Sequence, residues 1–123
     1  LAGDGFDAED VRLLGEIGYA AANRGLHRDA ERVLAAIEAL RPSSAVAGIG
    51  RALMALSRGR FDDAVQLVER QALAAEPDSI EAYEVLALAL GLAGRATERE
   101  RVQATITRLR REQEARAIDE TPT

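Results

Sequence analysis

The chain contains no cysteine, no lysine and no tryptophan, and aromatic residues make up only 3% of it. Without cysteine there is neither a disulfide nor a thiolate metal site, which suits a reducing compartment. The shortage of aromatic and β-branched residues, set against abundant Ala and Leu, favours helix over sheet. No apolar run approaches the ~18 residues that a membrane span needs. No segment shows the basic, apolar, small-residue order of a signal peptide. The first residue is Leu1 and not methionine, which points to a trimmed chain and leaves a preceding targeting segment open. All 16 residues of the Lys and Arg class are arginine. Together with so much alanine, that is the composition of a GC-rich bacterial genome. A net charge of −5 argues against a nucleic-acid surface, which needs a dense basic face.

What is present fits one helical domain. The 123 residues are enough to bury roughly two-thirds of the unfolded surface, and 47% apolar with 30% charged residues is a globular composition. Residues 1–8, with two Gly and two Asp, read as a flexible N-terminal tail, and 117–123 as a C-terminal one. Between them six helices are expected. The first runs from Asp10 to Arg24, with Val11, Leu14, Ile17 and Ala21 on one stripe, and stops at Gly25. The second, His27 to Leu40, gathers Ala30, Val33, Leu34 and Ile37 and ends at Arg41-Pro42. Ser44 is the expected cap of the third, Ala45 to Arg58, which Gly59 stops. Phe61 to Ala75 is the fourth, with Pro77 just beyond. Asp78 or Ser79 caps the fifth, which ends at Gly94; Thr97 opens the sixth, which runs to Ala115.

The helices repeat in register. Glycines at 25, 59 and 94 lie 34 and 35 residues apart, Pro42 and Pro77 are 35 apart, and Ala30 and Ala64 are 34 apart. A helix pair recurring at this period is the tetratricopeptide signature, with units over about 11–44, 45–79 and 80–113 in one domain spanning 9–116. The expected fold is therefore all-α, a solenoid of three helix-turn-helix repeats. Ala30 and Ala64 let paired helices approach closely, and Gly18 leaves a gap for a neighbouring side chain. Leu14 and Ile17, then Tyr83 and Leu86, are expected to fill the space between the first helices of successive pairs. The turn glycines supply the left-handed backbone that a short connection requires. Two departures stand out. Arg99 replaces the expected alanine of the third unit, whose last helix keeps only a thin stripe of Val102, Ile106 and Leu109, as a terminal cap does. The middle unit carries one extra residue between Ala64 and Pro77, near Gln71.

Candidate chemistry is sparse. His27 is the only histidine and has no second His or Cys for a metal site, so it reads as a solvated turn residue. The carboxylates are spread along outer faces and paired with arginine at helical spacing. Gly48-Ile49-Gly50 lacks the lysine and hydroxyl of a phosphate loop. No nucleophile has a base, so neither catalysis nor a cofactor or metal is expected. The remaining candidate is the inner side of the first helix of each pair. Counting back from each turn glycine gives Tyr19 and Asn23, then Ile49, Leu53 and Leu56, then Val85, Leu88 and Leu92. The bland reading makes some of these core between helices. The sharper one makes them an apolar concave groove for an amphipathic helix or apolar peptide. Gly48 and Gly50 each weaken their helix by about 1 kcal/mol relative to Ala; they mark a close approach of a partner or neighbouring helix, or are simply tolerated. On this reading Arg51 and Arg58 flank the groove.

The stretch from Leu13 to Ala93 carries a resemblance. Leu-Leu-Gly-Glu-Ile-Gly-Tyr, Gly-Leu-His-Arg-Asp-Ala-Glu-Arg-Val-Leu, Leu-Arg-Pro, Arg-Ala-Leu-Met-Ala-Leu and the Asp78 to Leu92 segment follow one another in an order similar to the small YscY-like chaperones of bacterial type III secretion, with the needle-subunit and translocator chaperones as near relatives. The resemblance implies a cytoplasmic chaperone that shields an apolar helix of a small secreted or export-apparatus protein, with no membrane insertion. It departs from the charged carboxylate clamps of other tetratricopeptide proteins, because this chain has no lysine to form one. A self-associating scaffold domain, dimerising through an end of the stack, is the competing expectation.

Overall fold

The computed structural model describes residues 7–120 and places all its regular structure in six helices, with no strand among the described residues. The helices are α1 (Ala8–Asn23), α2 (His27–Leu40), α3 (Val46–Ser57), α4 (61–75), α5 (Ile80–Leu92) and α6 (Ala96–Glu120). They form three hairpins, α1 with α2, α3 with α4 and α5 with α6, and the middle hairpin packs against both others.

The same turn is built three times. Gly25, Gly59 and Gly94 hold φ of 78°, 73° and 77°, a left-handed backbone that glycine adopts without a side-chain clash. In each turn the next N–H reaches five residues back: Leu26 to Ala21, Arg60 to Ala55 and Arg95 to Leu90, all at 2.9 Å. This satisfies carbonyls that the helix end would otherwise leave open. The longer connections also match. Arg41 and Glu76, each directly before a proline, have φ near −140°, as the proline ring demands of the residue it follows.

Helix starts follow local chemistry. Asp7 accepts from the Asp10 N–H and Asp10 accepts from the Asp7 N–H, so a reciprocal box of two aspartates opens α1 at Ala8, earlier than the expected Asp10. Ser79 accepts from the Ala82 N–H and caps α5, as expected. Ser44 does not occupy the cap of α3; Ala45 does. The free backbone donors there are shared between Ser44, which accepts from Val46, and the distant Glu76, which accepts from Ala45 at 3.1 Å.

The extra residue of the middle unit is absorbed inside α4. Phe61–Leu67 is α-helical, Val68–Ala72 widens into a π turn, and Leu73–Ala75 closes the helix. The Leu73 N–H donates to the Val68 carbonyl five residues back, so one residue is inserted without breaking the helix. The core explains why the helix is wanted intact. Seven of the twelve residues in the main buried cluster are alanine, so neighbouring backbones come close and tolerate no loop between them. Gly48 lies against the backbone of Ala72, at the end of the π turn, and Gly50 against the Leu34 side chain. Leu34 is fully buried and also faces Gly18, so one leucine of α2 sits between α1 and α3. The two glycines of α3 are thus sites of close helix approach.

Three expectations change. In α1 the buried stripe is Val11, Gly15, Gly18 and Ala22. Leu14 is half-buried and Ile17 is 57% exposed, because no described element precedes α1 to cover that side. The sixth helix starts at Ala96 and continues to Glu120, so residues 117–120 of the expected C-terminal tail are helical. Of the expected N-terminal tail, Asp7 and Ala8 belong to the α1 start, and residues 1–6 and 121–123 lie outside the described residues. Arg99 has its own accommodation: its stem crosses Gly91 at 3.2 Å from where a Cβ would stand, so the small residue of the third pair lies on the first helix instead of the second. No described helix is long and apolar enough to cross a membrane.

Candidate protein-binding surfaces

Tyr19, Leu53 and Leu88 each lie six residues before a turn glycine, and Asn23 and Leu92 each lie two before one. The shared turn geometry gives them equivalent backbone places in their hairpins. Their surroundings differ. Ile49 is 1% exposed and belongs to the core, so it presents nothing to a ligand. Tyr19, Leu53, Leu56 and Val85 are half-buried and pack on the main cluster. Asn23, Leu88 and Leu92 are exposed, the two leucines by about half of their surface. Leu88 and Leu92 are four residues apart on α5 and share one face. Among the groove positions, open apolar surface is therefore found on the third hairpin; outside that set, Leu13 and Ile17 of α1 are exposed to a similar degree.

Tyr19 explains part of the closure on the other side. Its hydroxyl is enclosed and has no partner in hydrogen-bonding geometry. Burial, with the negative charge of Glu81 added, drives its ionisation far above the ordinary tyrosine range. Glu81 responds in kind: burial, then repulsion from Glu84 and Glu76, raises its pKa. An enclosed hydroxyl without a partner costs about 1–3 kcal/mol. Tyr19→Phe is accordingly expected to raise the midpoint of chemical denaturation; a clear fall would show that the hydroxyl is satisfied by Glu81 in solution.

Two clefts escaped the sequence reading. One lies between α5 and α6 and is lined by Glu84, Ala87, Leu88, Gln103, Ile106 and Arg110 among others. It continues the exposed leucine face, and the Arg110 guanidinium stands 3.3 Å from the Glu84 carboxylate at its edge. The other lies between α2 and α3 and is rich in arginine. Arg51, expected to flank a partner groove, is engaged within the chain itself. Its guanidinium donates to Glu31 at 2.7 Å, to Glu38 at 2.7 Å and to Gln71 at 3.1 Å, joining α2, α3 and the π turn of α4. His27 is half-buried and not a fully solvated turn residue; its Nδ1 is enclosed without a partner. Periodicity finds helix faces but not which helices meet, so neither cleft has a linear signature.

Against known proteins, the chain matches no family model, no curated protein sequence and no solved structure at a significant level.

Proposed function

We propose that this chain is a tetratricopeptide-type adaptor that holds an apolar or amphipathic helix of another protein and performs no catalysis. The observation that carries the reading is the threefold recurrence of one turn, with left-handed glycines at 25, 59 and 94 joining three packed helix pairs. Short helical repeats stacked side by side work as binding surfaces in general. The half-exposed Leu88 and Leu92 give a partner helix an anchor at i and i+4 spacing. Covering the exposed half of each leucine is worth about 1 kcal/mol before ordering costs. A secretion chaperone of the cytoplasm, shielding a small exported subunit, is the particular role that the sequence resemblance favours.

The test is co-expression with the products of neighbouring genes, followed by purification on a tag carried by this chain. Leu88→Asp and Leu92→Asp should lose the co-purifying protein while the circular dichroism spectrum and melt stay near those of the parent. They are better probes than Leu53→Asp, because Leu53 is packed against the core and its loss would confound folding with binding. Undiminished recovery of the partner with both variants would remove α5 from the binding surface. The self-associating reading draws on the α5–α6 cleft and on Ile118, which is 73% exposed on the far part of α6. Light scattering decides it: a dimer that Leu88→Asp converts to monomer would favour association between copies.

A further inference from the structure

α3 carries two chemistries on opposite faces. At about 100° per residue, Ile49, Leu53 and Leu56 fall together, whereas Arg51, Met54, Ala55 and Arg58 fall on the other side. The second set faces the first turns of α2 across a cleft whose other walls are His27, Arg28, Glu31, Arg32 and Arg60. Five arginines line this cleft with one carboxylate, in a chain whose net charge is −5. Arg51 is already committed to Glu31 and Glu38. Arg28, Arg32, Arg58 and Arg60 have no carboxylate within ion-pair distance among the described residues. Single unpaired arginines on a helix surface are ordinary. Four that converge on one cleft raise its potential together, and an anion entering it relieves their mutual repulsion.

We propose that this cleft docks an acidic peptide segment of a protein partner. Met54 and Ala55 line it between the arginines, so an apolar side chain can lie there while flanking carboxylates meet Arg28 and Arg32 on one wall and Arg58 and Arg60 on the other. The number of cations favours several anionic groups over one: Arg28 and Arg32 stand on one wall and Arg58 and Arg60 on the other, more charge than a single small anion neutralises. The strongly negative remainder of the chain disfavours a long polyanion such as nucleic acid. The site is independent of Leu88 and Leu92, which lie on another hairpin, and it holds whether or not α5 binds a helix.

The experiment uses the full chain and a fluorescein-labelled hexapeptide, Glu-Asp-Leu-Glu-Glu-Glu, followed by anisotropy. Saturable binding is expected at about 50 mM salt, weakening severalfold by about 200 mM as screening shortens the range of the arginine field. The pair Arg28→Glu with Arg58→Glu should weaken binding about tenfold or more, and Leu88→Asp should leave it unchanged. The milder pair Arg32→Gln with Arg60→Gln should show the same direction if the first pair compromises folding, which a circular dichroism melt reports. No saturable binding at low salt, or binding indifferent to both pairs, overturns the proposal. So does complete displacement of the peptide by inorganic phosphate at matched ionic strength, which would make the cleft a small-anion site.

Discussion

Gly48→Val is expected to abolish the cooperative thermal melt, and even Gly48→Ala should lower its midpoint. A Cβ at position 48 would stand 2.5 Å from the backbone nitrogen of Ala72 and 2.8 Å from its Cα. Main chain inside a helix cannot swing aside as a side chain can, so α3 and the π turn of α4 must separate. That opens the most alanine-rich part of the core, where small separations forfeit many contacts at once. Helix propensity alone predicts the opposite sign, a gain of about 1 kcal/mol for Gly→Ala; the overpacking cost of about 1–3 kcal/mol outweighs it, and valine adds two further methyl groups to the same clash. Gly50→Ala gives an internal comparison. Its Cβ would meet the Leu34 side-chain tips at 2.5 and 2.6 Å, which can rotate within limits set by Gly18 on the far side. The expected order of melting midpoints is parent, Gly50→Ala, Gly48→Ala. A Gly48→Ala protein as stable as the parent would mean that α3 and α4 lie farther apart than the structure draws them.

Much of the helical frame was legible because its punctuation is chemical and local. Turn glycines and the prolines at 42 and 77 act within a few residues, and each ended its helix where expected. The single extra residue near Gln71 was also visible as a break in the period, although only the packing of Ala72 on Gly48 explains why it became a π turn and not a longer loop. Three things were not legible. Ile17 sits at a position that stacking would bury, but burial needs a preceding element, which a residue's own helix does not reveal. α6 continues to Glu120 with only Ile106 and Leu109 buried, because its Arg, Glu, Gln and Ala residues sustain helix without a core to hold it. The groove positions were read as one set from their register, yet Leu53 packs on the core and Leu88, at the equivalent place, is half exposed. Equivalent backbone places acquire different environments when the hairpins beside them differ, and a terminal hairpin has a side that an inner one lacks.

The same limit hid Arg51, and its removal provides the second large effect. Arg51→Ala should destabilise the fold by about 2 kcal/mol near neutral pH. Hydrogen bonds to charged groups contribute about 1.5–3 kcal/mol, and the lower part of that range applies because Glu31 and Glu38 keep about half their side-chain surface in water while the Arg51 side chain keeps 16%. The loss carries a pH signature. The hydrogen bond from Arg51 holds the Glu38 carboxyl below the usual glutamate range, against a smaller opposing effect of burial. A carboxylate whose folded pKa is depressed contributes stability above its unfolded pKa, about 4.3 for glutamate, and loses it as pH falls through the lower folded value. The stability gap between the parent and Arg51→Ala should therefore be flat from pH 6 to about 8 and shrink below about pH 4. Arg51→Met, which restores the apolar stem but not the donors, should fall between the two. Combining it with Glu31→Gln and Glu38→Gln should cost less than the sum of the separate changes, since the carboxylates are then no longer left facing one another unpaired. Arg51 also donates to Gln71 within the π turn, so its loss and the Gly48 substitutions strain the same junction of α3 with α4. A pH-independent gap, or an Arg51→Met protein equal to the parent, would show that this junction is held by packing alone.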